Sequence, residues 1–138
     1  MRLFHWTASN DVFLPAIDEE HRATFQIVGE LQWALRDRAP LFQIQEILHR
    51  LIARAEDHFA HEERLMRETH YLSLAWHKGQ HDTVRKRFRE LAPLIEAGDV
   101  DAGNDLVEFL TRWLDEHTAV TDRMMGAHLR NKQRAAIR

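Results

Sequence analysis

The stretch "EDHFAHEERLM", residues 56–66, sets two histidines and four acids among apolar residues. Its place in a longer rhythm decides how it is read. Ile44, Leu48, Leu51, Ala55, His58, Glu62 and Leu65 recur at alternating spacings of 3 and 4, the pattern of a helix that buries one face in a bundle. At about 100° per residue, Glu62 falls near the centre of this stripe and His58 within it. His61 lies roughly 110° and Glu63 roughly 85° from the centre, which assigns both to the flank or surface. One histidine and one glutamate are therefore expected to point inward.

The other helical segments repeat the device. Leu74, His77, His81, Val84, Phe88, Leu91 and Ile95 keep the same spacing, with two histidines one turn apart. Ile17, His21, Thr24, Val28, Leu31 and Leu35 place His21 inward, and Leu106, Leu110, Trp113, His117 and Val120 do so for His117. The segments run over about 18–38, 41–68, 73–96 and 105–130, separated by "RDRAP", "THYLS" and "AGDVDAGND". Asp18, Ser73 and Asn104 suit helix N-caps, Pro40 suits a helix start, and Pro93 is expected to kink or end the third helix. Short connections make successive helices antiparallel neighbours, so the expected fold is all-α, an antiparallel up-down-up-down four-helix bundle. Residues 1–17 read as an irregular N-terminal arm packing through Phe4, Trp6 and Phe13, residues 18–130 as the bundle, and 131–138 as a tail of one single domain.

Composition narrows the function classes. The 138 residues are 44% hydrophobic and 30% charged, and the formal charge of −3 leaves no footprint for nucleic acid. No apolar run approaches the roughly 20 residues of a membrane helix, and "MRLFHWTASNDVF" has no continuous apolar signal core. The expected location is cytoplasmic. With no cysteine there is neither a disulfide nor a thiolate ligand, so the ten histidines carry the chemical interest.

A single histidine on an apolar stripe is more often a core residue satisfied by a carbonyl than a ligand. Five histidines and a glutamate on the inner stripes of all four helices need another account. An uncompensated buried polar group costs about 1–3 kcal/mol and a bare carboxylate far more. Six of them would cancel most of a typical stability of about 5–15 kcal/mol. A bound cation is the simplest compensation.

Asp122 breaks the rhythm. It follows His117 by five residues, which a straight α-helix turns roughly 140° away. A π-bulge would return i and i+5 to one face, and the series Asp122, Met125, Leu129 resumes the regular spacing after it. An irregular turn is expected between His117 and Asp122.

Together "IDEEH" (17–21), "HFAHEE" (58–63), "HKGQH" (77–81) and "HTAVTD" (117–122) resemble the hemerythrin family, specifically its single-domain bacterial members. The resemblance covers nearly the whole chain, and each of the family's seven ligand positions is filled. It implies two iron ions (Fe2+/Fe3+) joined by a solvent-derived oxo or hydroxo bridge. His77, His81 and His117 would bind one iron, His21 and His58 the other, with Glu62 and Asp122 bridging the pair. The second iron keeps an open position, where dioxygen would bind reversibly for transport, storage or delivery. Phe25, Phe59, Trp113, Leu114 and Thr118 are the candidate pocket residues. Thr118 stands where the family usually has an aliphatic residue, and its hydroxyl is expected to speed autoxidation.

The same domain could instead act as an oxygen or redox sensor module, or as a di-iron enzyme handling peroxide or nitric oxide. Oxygen-activating di-iron enzymes use carboxylate-rich ligand sets, and five histidines with two carboxylates lean toward a carrier that is not an enzyme. A bundle holding zinc is the plainest alternative. Glu46 and His49 form an E-x-x-H pair but fall on the outer face of the second helix, and His5, His70 and His128 are expected in solvent.

Overall fold

The computed structural model describes residues 4–137, so residues 1–3 of the expected arm and Arg138 of the expected tail lie outside it. Four long helical segments form an up-down-up-down bundle: α1 (Pro15–Arg36), α2 (Leu41–Glu68), α3 (Leu74–Glu96) and α4 (Val100–Glu116). The last runs through a six-residue π-helical turn, His117–Asp122, into α5 (Arg123–Ile137). Each helix packs against its two neighbours, α1 on α2, α2 on α3, α3 on α4 and α4 on α1. None of the described helices is long and apolar enough to cross a membrane.

The helix ends differ in detail from the sequence expectation. α1 starts at Pro15, whose missing N–H costs nothing in a first turn. Asp18 is therefore not the N-cap but lies inside that turn, where its carboxylate accepts from the backbone N–H of Val12 and of Leu14. α4 starts at Val100, capped by the Asp99 side chain accepting from Ala102 N at 3.0 Å, and Asn104 lies within the helix. Ser73 does precede α3, without a side-chain capping bond. Pro93 does not stop α3, which continues to Glu96; so close to the end, only one backbone bond is forfeited. Residues 131–137, expected as a tail, continue α5.

The arm straps the bundle end. Phe4 and Trp6 pack on the core, Phe4 stacked on Phe25 with ring centroids 4.6 Å apart. A short 3-10 turn, Ala8–Asn10, leads into Val12 and Leu14, both buried. Phe13, between them, points outward: it is 60% exposed, takes a left-handed φ of 63°, and has the guanidinium groups of Arg123 and Arg130 over its ring.

Two apolar clusters fill the bundle. The larger runs from Phe25 on α1 through Leu51, Ala55 and Phe59 on α2 and Val84 on α3 to Leu114 on α4. The smaller joins Val12, Leu14 and Ile17 to Met66 on α2 and to Met125 and Leu129 on α5. On α1, α2 and α4/α5 a buried polar layer falls between these clusters.

Candidate metal centre

His21 on α1, His58 and Glu62 on α2, His77 and His81 on α3, and His117 and Asp122 at the two ends of the π-turn form that layer, each 6% exposed or less. The π-turn is what brings Asp122 inward, since i→i+5 bonding places it on the His117 face. Met125 and Leu129 then regain the core.

The carboxylates divide their oxygens between two groups of imidazoles. Glu62 Oε2 faces His21 Nε2 at 3.1 Å and His58 Nε2 at 2.8 Å, while Oε1 faces His77 Nε2 at 3.3 Å and His81 Nε2 at 3.0 Å. Asp122 Oδ2 faces His21 Nε2 at 3.2 Å, and Oδ1 faces His77 Nε2 at 3.1 Å and His117 Nε2 at 3.0 Å. Donor atoms of Glu62, His77, His81, His117 and Asp122 lie within 4.8 Å of one another, as do those of His21, His58 and Glu62. The layer thus holds two adjoining sets of cation ligands that share a glutamate.

Of these contacts His21 Nε2–Glu62 Oε2 is a hydrogen bond, but short separation does not make the others so. Nε2 of His58, His77, His81 and His117, Glu62 Oε1 and Asp122 Oδ1 are all buried without a hydrogen-bond partner. Nitrogens and oxygens converge on common points rather than on one another, which suits a cation and leaves a costly cluster without one. Imidazole with carboxylate fits Fe, Mn or Zn, and the residues present fit an iron pair.

Three imidazoles are oriented by their other nitrogen. His58 Nδ1–H donates to Glu20 Oε1 at 2.7 Å, His81 Nδ1–H to Glu63 Oε2 at 2.8 Å, and His117 Nδ1–H to Gln80 Oε1 at 2.7 Å. That tautomer leaves each Nε2 lone pair facing inward. Glu63, expected on the flank or surface, is buried; Arg85 holds its carboxylate through Nη1 at 2.9 Å and also binds Asp82 through Nη1 and Glu56 through Nε. Its angle from the stripe allows this because the gap between α2 and α3 lies there. His61, half-buried, donates to Glu20.

Electrostatics in the layer are strongly coupled. Burial alone would lower His21 and His77, but Asp122 and Glu62 outweigh it and push His21 up to about 10 and His77 up to about 9. Burial likewise opposes ionised Glu62 and Asp122, yet the surrounding imidazoles hold both well below the usual carboxylate range. For His117 burial prevails and its value falls.

A cavity of about 20 Å³, room for one water-sized or diatomic guest, adjoins the layer. His21, His58, His117 and Asp122 border it, and its remaining wall is mostly apolar, including Phe59, Trp113, Leu114, Leu51 and Val84. Phe25 does not border it and is fully buried against Phe4 and Trp6. Thr118 does not border it: its hydroxyl donates to Leu114 O at 2.7 Å and accepts from Asn10. Of the remaining histidines, His5 and His70 are exposed, whereas His128 is half-buried and donates to Thr69 O, a contact across the bundle end that helical periodicity could not reveal. Glu46 and His49 are on the surface, paired with Arg50 and Glu96 respectively.

The fold and donor set define a helical-bundle protein with a buried histidine–carboxylate cation site. The family described as "Hemerythrin HHE cation binding domain" matches residues 12–129, and the chain belongs to the hemerythrin family. Curated relatives include a bacteriohemerythrin of Ralstonia nicotianae (strain ATCC BAA-1114 / GMI1000), 35% identical over 94% of this chain and 90% of its own length. A bacteriohemerythrin of Stenotrophomonas maltophilia (strain R551-3) is 29% identical over 94% of this chain and 86% of its own. A crystal structure of a hemerythrin variant superposes with a TM-score of 0.84 at 27% identity, covering 94% of this chain and 98% of that one.

Proposed function

We propose that the chain binds dioxygen reversibly at a di-iron centre, as a carrier or store rather than an enzyme. His77, His81 and His117 would hold one iron and His21 and His58 the other, with Glu62 and Asp122 shared between the two sets. The observation that carries the reading is the division of both carboxylates between the two sets of imidazoles. The bound iron pair would supply a reversible loan of two electrons to dioxygen.

What this chain contributes is placement and exclusion. Both histidines of the two-histidine set border the small cavity, whereas of the three-histidine set only His117 does, so a diatomic guest there would lie nearer the set with fewer protein ligands. Phe59, Trp113, Leu114, Val84 and Leu51 keep that side dry, which denies a bound oxygen the protons that would release it as peroxide.

The test is anaerobic loading with ferrous iron, followed by oxygen exposure while metal content and the visible spectrum are recorded. Two irons per chain and a charge-transfer band that disappears on deoxygenation are expected. Two zinc ions and no chromophore would defeat the proposal.

A further inference from the structure

Trp113 links the metal layer to the surface. Its indole stacks on the His117 imidazole, with ring centroids 4.1 Å apart and planes 15° from parallel. It meets Phe59 edge-on at 5.9 Å, and Phe59 in turn stacks on His81 at 4.2 Å. The same half-buried indole borders the inner cavity on one side and a surface depression beside Phe109, Arg112 and Glu116 on the other. The other tryptophans are placed differently. Trp33 and Trp76 are 47% and 49% exposed, and Trp6 is tilted by 33° to His21 at 6.1 Å.

Indole is among the side chains most readily oxidised in one-electron steps, and a stacked ring at van der Waals distance shares orbital overlap with its neighbour. We propose that Trp113 is the outlet for oxidising equivalents when the loaded centre meets hydrogen peroxide, and so the residue that becomes hydroxylated. The proposal rests on the iron reading above. For each peroxide, the O–O bond breaks and two electrons and two protons are taken up, giving two waters. The Trp113 indole gives up those two electrons one at a time and loses two protons as one water adds to its ring. The net change is one indole and one hydrogen peroxide to one hydroxyindole and one water. An external one-electron reductant such as ascorbate, reaching the indole from the surface depression, restores it before water adds.

The test loads the full chain with iron or, in parallel, with zinc. It then adds hydrogen peroxide in oxygen-18 water and maps oxidised residues by peptide mass spectrometry. In the iron protein Trp113 is expected to gain one oxygen, carrying the water label, several-fold ahead of the more exposed Trp33 and Trp76. The zinc protein is expected to be spared, and ascorbate to suppress the modification. Oxidation that follows exposure, falling first on Trp33 and Trp76, overturns the proposal, as does equal modification with zinc. Trp113→Phe is expected to abolish the labelled oxidation of this peptide; if that variant does not fold, the map of the parent chain decides alone. A chain that takes up no iron overturns both readings, whereas an iron-loaded chain with intact Trp113 overturns this one only.

Discussion

Asn10 donates a hydrogen bond to the Thr118 hydroxyl at 2.9 Å, joining an arm residue to one 108 positions later. The hydroxyl in turn donates a hydrogen bond to Leu114 O, and Asn10 also donates to Asp115 Oδ1 at 3.2 Å. Thr118 itself does not border the cavity, and its hydroxyl is taken up by Leu114 O and the Asn10 amide, so it serves the strap rather than the guest. Thr118→Val is expected to cost about 1–3 kcal/mol, because it leaves a buried amide short of an acceptor. Thermal unfolding reads the loss. The autoxidation rate of the iron-loaded variant is expected to match the parent, and a changed rate would return the hydroxyl to the pocket.

Metal removal should be felt as lost stability. Most of the layer's inward-facing nitrogens and oxygens have no hydrogen-bond partner, and a ligand that binds only the folded chain contributes about 2.7 kcal/mol at a hundredfold excess over its Kd. Chelator-treated and iron-loaded protein should therefore melt at clearly different temperatures. Identical midpoints would contradict a cation site.

Proton balance provides a separate check. In metal-free protein, burial opposes charge on His21 and His77, but Asp122 and Glu62 outweigh it and hold them up to about 10 and about 9. A raised folded value stabilises fully below the ordinary 6.5 and is lost as pH rises through about 9 to 10. A metal must displace those protons, so its affinity should climb with pH over that range and its binding should release protons. Calorimetry in buffers of different ionisation enthalpy measures the release; none at all at neutral pH would sink the prediction.

Two neighbours on one helix should behave oppositely. Glu63→Ala removes the acceptor of His81 Nδ1 and one of the three carboxylates around Arg85, and metal affinity is expected to fall about 10–100-fold in chelator competition. His61→Ala removes a partner of the half-exposed Glu20 but leaves the His58–Glu20 bond in place, and should leave affinity close to the parent's.

Helical periodicity made the bundle and most of the layer legible, because burial of a stripe is a local, repeating demand. His58 and Glu62 stood on that stripe by spacing alone, and the five-residue offset of Asp122 forecast a break that the π-turn supplies. What spacing could not reveal were contacts made sideways or from afar. Glu63 sits off the stripe yet is buried because Arg85, on another helix, reaches it. Gln80 looks like a surface residue of α3 until the π-turn delivers His117 and Thr121 to its carbonyl. Asn10 belongs to a segment with no periodicity, so its burial depends wholly on where the far end of α4 arrives.

The polar layer also divides the interior into unequal parts, with twenty buried apolar residues on one side and six on the other among the described residues. Ions bound across all four helices would weld the two into one cooperative unit. Stripped of them, the chain has a fault line, and the smaller end is the one with too little buried surface to stay shut alone. Val12, Leu14 and Ile17 would then lift from Met66, Met125 and Leu129 while the larger cluster holds. Hydrogen exchange in that end alone, fast without metal and slow with it, would mark the doorway through which the ions enter.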